Sequence, residues 1–333
     1  VYTPYRRQWQ ARVDAQPIAP SPALPAMRPV PEKLDGQGLP SAADLGFTTE
    51  QELLPGGEDA AQKRLAAFVD AQNELGIAGY HHGRERPALA ATSRLSAYLR
   101  FGCIAPAACL RAAQQLAARL GPHTAQTSVE TWVGELAWRD FYYQVLTHFP
   151  HVTDGAFRRQ YDALKWEGDE SHFAAWSEGR TGYPIVDAAM RQLAREAWMH
   201  NRARMIVASF LTKDLLIDWR RGERFFMRML IDGDQASNNG GWQWAAGTGT
   251  DAQPYFRIFN PVSQGEKFDP RGDYVRRYLP ELHRVPARYI HAPWTMPAAE
   301  QRAAGVQIGR DYPVPIVDHA AQRERALAMY RQA

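Results

Sequence analysis

The sequence predicts an all-α fold, and three observations predict it. Alternating apolar and polar runs bounded by turns are nearly absent. From Glu58 to Tyr330 apolar residues recur three and four positions apart, the spacing of one helix face. The 333 residues are 45% hydrophobic and 23% charged, enough apolar surface for a helical core that needs neither a disulfide nor a metal. At ~150 residues per domain this length suits two domains or one large one.

The elements follow in order. Val1 to Trp9 is short and aromatic, and seven prolines between Arg12 and Pro40 predict an extended linker. Residues 1–57 are therefore assigned to a proline-rich interdomain linker and 58–333 to a helical domain. Leu65, Phe68, Val69 and Leu75 predict a helix from Glu58 to about Gly76, followed by a polar loop, Gly79 to Arg84. Thr92-Ser93 reads as the cap of a short helix carrying Leu95, Tyr98 and Leu99. Pro106 opens a helix running to Leu120, and Pro184 opens another carrying Ile185, Ala188, Ala189 and Leu193. Between them Thr127 to Phe149 is a long amphipathic helix with Trp132, Leu136 and Tyr143. Asn201 to Trp219 and Glu223 to Ile231 continue the pattern, and no repeat of fixed period is visible.

Composition excludes several classes. The 39 basic and 36 acidic residues give +3, too mild for a polycation but compatible with a local basic groove. Cys103 and Cys109 cannot form a disulfide framework and have no partners at zinc spacing, so buried reduced thiols in a cytosolic protein are expected. Apolar runs such as Met205 to Ala208 are too short to span a membrane, and no signal peptide is expected. The chain starts at Val1, as a fragment or a processed product would. Gly247 to Ala252 matches G-x-G-x-x-A, but a Trp-rich helical stretch stands where a strand is required. Asp232-Gly233-Asp234 begins like a calcium loop and fails at Ala236 and Ser237. His81-His82 and His148 to His151 lack further ligands, so no metal is expected.

A polar and aromatic constellation remains. Thr92-Ser93-Arg94-Leu95-Ser96 offers three hydroxyls at a helix start, read either as caps or as a cradle for pyrophosphate. Trp132, Glu135 and Arg139 share a helix face with Trp138 beside them. A carboxylate and a guanidinium among indoles are costly to bury unless paired or used. Asn201-Arg202 and Arg204-Met205 repeat the theme, with Asp232 or Asp234 available to Arg204. Asn238-Asn239-Gly240-Gly241 leads straight into Trp242 and Trp244. Together, with ten tryptophans in the chain, these residues suit a cavity for a flat, polar, phosphorylated aromatic ligand.

The sequence resembles the photolyase/cryptochrome family, specifically its FAD-binding helical domain and the branch of class I cyclobutane pyrimidine dimer photolyases. The resemblance rests on Thr92 to Ser96, Glu135 to Tyr142, Thr181 to Arg191, Trp198 to Arg202, and Asp232 through Trp244, in that order. Full-length family members begin with an α/β antenna domain that this chain is expected to lack. An antenna chromophore such as a folate would then be possible only with that missing domain. The resemblance implies FAD, active when reduced, with Tyr80 and Thr92, Ser93, Arg94, Leu95 and Ser96 near its phosphates. It puts Trp132 and Arg139 at the pocket wall and Arg204 paired with Asp232, together with Gly233 and Asp234, beside the ring, with Asn238 near flavin N5.

The implied activity is light-driven repair of pyrimidine dimers in UV-damaged DNA by a carbon–carbon lyase. Trp138 and Trp244 would stack on the flipped bases, Glu135 would hydrogen-bond the dimer, and Tyr142 and Met205 would pack against it. Arg84, Asn201, Arg202 and Gln264 would contact the surrounding DNA. Trp166, Trp219 and Trp242 take the positions of the family's electron-transfer chain; without the resemblance they read as three core indoles. A monomer in the bacterial cytoplasm, on the nucleoid when bound to DNA, is expected. The competing expectation is a cryptochrome-type blue-light receptor, and a remote third is a helical nucleic-acid-binding module without flavin. A (6-4)-photoproduct enzyme would show paired histidines near Met205.

Overall fold

A computed structural model describes residues 1–15, 25, 26, 28, 38–120 and 126–333. Most of the proline-rich stretch lies outside the described residues. Those residues form α-helices and short 3-10 turns with no sheet among them; one isolated bridge pairs Ile308 with Tyr312. No helix among them is long and apolar enough to cross a membrane.

The helices are α1 (Tyr2–Ala15), α2 (Glu58–Phe68), α3 (Tyr80–Gly83), α4 (Ser96–Arg100), α5 (Pro106–Leu120), α6 (Gln126–His148), α7 (Glu170–Ser177), α8 (Pro184–Glu196), α9 (Asn201–Ser209), α10 (Trp219–Met229), α11 (Gln235–Ala246), α12 (Pro261–Phe268), α13 (Asp273–Tyr278), α14 (Ala298–Ala304) and α15 (His319–Arg331). Two apolar cores result. One gathers Leu65, Phe68, Tyr80, Leu95, Leu116, Trp132 and Leu136 from α2 to α6. The other gathers Trp176, Met190, Leu193, Ile206, Phe226, Trp242 and Tyr274 from α7 to α13. Helix α6 belongs to both halves. It buries Val129, Trp132, Val133 and Leu136 in the first core, and another of its faces packs on α11. That α6–α11 approach requires Gly240, where a Cβ would stand 2.1 Å from the Tyr142 ring.

Several boundaries differ from expectation. Residues 2–15 of the assigned linker are helical, packed on α6 through Tyr5 against Phe141 and a Trp9 Nε1 hydrogen bond to Asp140. Helix α2 stops at Phe68 rather than Gly76, leaving Leu75 exposed, because Asp70 and Asn73 hydrogen-bond nearby backbone and turn the chain. The expected loop Gly79–Arg84 is a 3-10 turn running into α3. Thr92 and Ser93 cap nothing, since α4 starts at Ser96 after Leu95 with no side-chain cap. The expected helix Asn201–Trp219 ends at Ser209 and passes through a π-turn, Phe210–Asp214, and a left-handed Leu216 before α10 begins at Trp219. The Asn238–Gly241 stretch is helical, because Asp234 caps α11 through the Ser237 amide at 2.8 Å. Of the two thiols, Cys109 is buried and Cys103 half-buried, both free.

The π-turn carries two buried ionisable groups. Lys213 Nζ donates to the Ala246 carbonyl at 3.0 Å and lies 3.7 Å from the Tyr330 ring centroid. Burial pushes its pKa down to about 7. Asp214, pushed up to about 6 by burial, meets His319 Nδ1 at 2.5 Å. A lysine whose pKa falls on folding costs stability as pH drops from its ordinary 10.5 toward 7, and the cost is constant below that. Lys213→Met, which keeps the volume, should therefore stabilise the protein by on the order of 1–3 kcal/mol at pH 7. The gain should shrink as pH approaches the ordinary lysine value. Urea midpoints at neutral and alkaline pH measure it; equal midpoints for both proteins at neutral pH would contradict the cost.

Candidate active site

A cavity of about 450 Å³ opens where α6 faces α9 and α11, a size within the ordinary range of ligand pockets. Its first wall is α6, whose residues Glu135, Trp138, Arg139 and Tyr142 follow helical spacing and so project together. Its second wall is Asn201, Arg204, Met205 and Ala208 of α9. The chain from Leu230 through Asp234, and Ser237, Asn238, Gly241, Trp242 and Trp244 of α11, close the third. Ser96 and Arg84 reach it from the α3–α4 side, and Phe226 from α10.

The polar groups are paired. Arg204 Nη2 donates to both Asp232 oxygens, at 2.8 and 3.1 Å, and its Nε donates to the Met199 carbonyl at 2.8 Å. The Asp232 side chain is only 3% exposed, so this bridge fixes the guanidinium at the cavity edge. Asp234 serves otherwise than as a second partner for Arg204. It caps α11 and accepts from the Tyr143 hydroxyl, whose ring lies 4.5 Å beneath the Arg139 guanidinium. Gly233 turns its carbonyl to Arg100 Nε at 2.7 Å. Asn238 Nδ2 donates to the Glu223 carbonyl at 3.0 Å, which fixes the amide's orientation within the lining.

Glu135 receives Arg84 Nη1 at 2.6 Å. Burial pushes the Glu135 carboxyl above the usual carboxylate range against the opposing pull of Arg84. A third of its side chain, 36%, still borders open space, which leaves it an acceptor. Arg84 also meets Glu85, which in turn pairs with Arg202, so two cations and two carboxylates form one network at the rim. Arg202 further lies over Phe268. Buried His200 accepts from the Arg202 amide and stays neutral, its pKa driven down to about 3 by burial and by Arg202 and Arg204.

Not every expected residue reaches the cavity. Trp132, Tyr80 and Leu95 are 4%, 7% and 1% exposed and pack in the first core among Leu65, Phe68 and Leu116. Arg94 stacks on Trp198 and pairs with Glu196 at 2.7 Å, and Thr92, Ser93, Arg202 and Gln264 are likewise absent from the lining. Of the Thr92–Ser96 segment only Ser96 lines it. Within Thr181–Arg191 the buried Asp187 is a structural staple, accepting from Thr181, Gly182 and Tyr312. Trp242 lines the cavity at 2% exposure, Trp219 is buried at the start of α10, and Trp166 is half-buried, edge-on to Tyr330. Phe226, Leu230 and Ala208 were not anticipated in the lining, being apolar residues that only packing brings there, and neither was Ser237. Tyr143, four residues after Arg139, was detectable from its spacing.

The residues fit a flat dinucleotide cofactor. Trp242, Phe226, Leu230, Ala208 and Met205 supply an apolar floor, while Arg204–Asp232 and Asn238 supply a polar edge. Gly241 leaves the α11 backbone bare, since a Cβ there would meet nothing within 4 Å. Such a wall and edge suit a flat, polar cofactor held inside a helical domain. A family profile described as the FAD binding domain of DNA photolyase matches residues 132–332. A deoxyribodipyrimidine photo-lyase from Agrobacterium fabrum is 46% identical over 99% of this chain and 68% of its own. The crystal structure of a bacterial class III photolyase from Agrobacterium tumefaciens superposes with a TM-score of 0.85 at 44% identity, covering all of this chain and 68% of that one. The Synechocystis cryptochrome structure gives 0.79 at 32% identity, over 97% and 67%. The chain belongs to the DNA photolyase family and spans about two thirds of the length of these relatives.

Proposed function

We propose that this chain binds FAD and, with the flavin reduced, repairs cyclobutane pyrimidine dimers flipped out of UV-damaged DNA. The observation that carries the proposal is one continuous cavity. It holds a flavin-type edge, Arg204–Asp232 with Asn238, and a base-stacking wall, Trp138 and Trp244 with Glu135 between them in function. When bound, reduced FAD supplies on absorbing blue light the electron that opens the cyclobutane ring and then returns.

The chain's residues do the rest. Arg204, held by Asp232, would donate to the ring's polar edge, and Asn238, its NH2 engaged by the Glu223 carbonyl, would present its amide oxygen there. Arg139 and Ser96, both in the lining, would hold the phosphates. Trp244 and the cavity side of Trp138 stack on the extruded bases, and Met205 packs against them and excludes water. Glu135 accepts from the polar edge of the dimer while Arg84 holds its carboxylate in place. Arg84 and Arg202, each already paired with a carboxylate, would exchange part of that pairing for DNA phosphate and add affinity that falls with salt.

The test is reconstitution with FAD, chemical reduction, and illumination of thymine-dimer and (6-4) oligonucleotides. Stoichiometric non-covalent FAD and light-driven dimer repair without (6-4) repair are expected. A folded protein that refuses FAD would sink the proposal. Equal binding to damaged and intact DNA with no repair by the reduced protein would put a blue-light receptor in its place.

A further inference from the structure

Helix α1 lays Tyr2 flat on the indole of Trp138, with ring centroids 3.4 Å apart and 7° between planes. The Tyr2 hydroxyl donates at 2.9 Å to the carbonyl of Gly134, one turn before Trp138 on α6. Phe141 meets both rings edge-on, at 5.6 Å each. The rest of α1 is tied to the same helix, by Tyr5 against Phe141 and by Trp9 Nε1 to Asp140 at 2.9 Å. Burial raises the Tyr2 phenol to about 12, so it remains a neutral donor throughout the working pH range.

Trp138 lines the cavity and Tyr2 does not. One face of the indole is therefore closed by a ring from behind, and stacking by any ligand is confined to its cavity side. Tyr142, also in the lining, flanks the indole at 5.5 Å and a 31° tilt. An indole on a free χ pair loses rotamer freedom when a base stacks on it; an indole already clamped between a phenol and its own helix has lost that freedom on folding.

We infer that Tyr2 is a positioning residue for lesion binding, holding the Trp138 indole in the orientation that receives an extruded pyrimidine. The inference rests on the proposed stacking role of Trp138. It also gives α1, which the sequence assigns to a linker, a part in the site's function. Tyr2 touches neither the cofactor wall nor the DNA rim, so its effect should fall on lesion affinity alone.

The experiment measures dissociation constants for thymine-dimer and intact oligonucleotides with Tyr2→Phe, Tyr2→Ala, Trp138→Ala and the Tyr2→Ala/Trp138→Ala double variant. FAD content and flavin photoreduction are followed in each. Tyr2→Phe should bind the dimer as the wild type does, because the stack remains. Tyr2→Ala should weaken dimer binding by about three- to tenfold, the range of an aromatic contact, and leave intact-DNA binding and FAD content unchanged. In the Trp138→Ala background Tyr2→Ala should cost nothing further. Tyr2→Leu, apolar but ringless, should show the same loss and serves if Tyr2→Ala does not fold. An additive loss in the double variant, or a Tyr2→Phe defect equal to that of Tyr2→Ala, would overturn the inference while leaving the site intact. Dimer binding unaffected by Trp138→Ala would instead remove the stacking role itself, and the inference with it.

Discussion

Trp242→Phe should abolish the blue-light reduction of oxidised flavin while leaving repair by chemically reduced flavin intact. Trp242 is 2% exposed, lines the cavity from α11, and lies edge-on to Phe226 at 5.0 Å. Helix α10 presses against it so closely that a Cβ on Gly222 would stand 2.1 Å from the indole. Phenylalanine keeps the aromatic packing, so the fold should lose only about 1–2 kcal/mol. What disappears is the cavity-lining indole, far easier to oxidise than benzene, which the family resemblance pairs with Trp219 and Trp166 as a relay. Flash photolysis of the oxidised protein measures the first effect, and illumination of the reduced protein with thymine-dimer DNA measures the second. Photoreduction at the wild-type rate would mean that another donor operates. Trp176, edge-on to Trp242 at 6.2 Å, would then be the first residue to replace.

Trp244→Ala and Glu135→Ala should separate lesion binding from lesion chemistry. Trp244 is partly buried against the second core yet lines the cavity, so it offers a face that is already rigid. Removing a base-stacking ring costs ~1–3 kcal/mol, a roughly 5- to 150-fold weaker dimer complex. Intact DNA, which never fills the cavity, should bind as before. Glu135→Ala should instead lower the quantum yield with a smaller effect on affinity, because it removes an acceptor that matters most when charge develops on the dimer. It also leaves Arg84 without its 2.6 Å partner, so Glu135→Gln is the needed companion, keeping a carbonyl acceptor without the charge. Titration of damaged and intact oligonucleotides gives the affinities, and repair per absorbed photon gives the yield. A Trp244→Ala protein that binds the dimer unchanged would remove that residue from the lesion site.

The cavity's chemistry was legible in advance because helical spacing is short-range. Glu135, Trp138, Arg139 and Tyr142 had to share a face once α6 was a helix, and Arg204 needed a carboxylate, which Asp232 supplies. Three expected residues stay out of the cavity lining and lie in the first core. Trp132 sits beside chemistry-bearing neighbours in sequence, but on a helix adjacent positions point about 100° apart, and it points into the core, as Tyr80 at the start of α3 and Leu95 just before α4 also do. Helix ends were the least legible. The π-turn at Phe210–Asp214 and the left-handed Leu216 interrupt an unbroken apolar pattern that gives no sign of stopping.

From its sequence alone the protein was determined to be all-α, to have a polar and aromatic ligand site spread over α6, α9 and α11, and to resemble one family. These properties follow from periodicity, capping and motif order, which act over a few residues. Only tertiary structure decided that Asp234 caps a helix, that Arg84 locks Glu135, and that Tyr2 lies on Trp138 across 136 positions of chain. Such pairings depend on where whole helices come to rest, and that is set by the burial of two apolar cores at once, a sum over contacts that no local stretch of sequence contains.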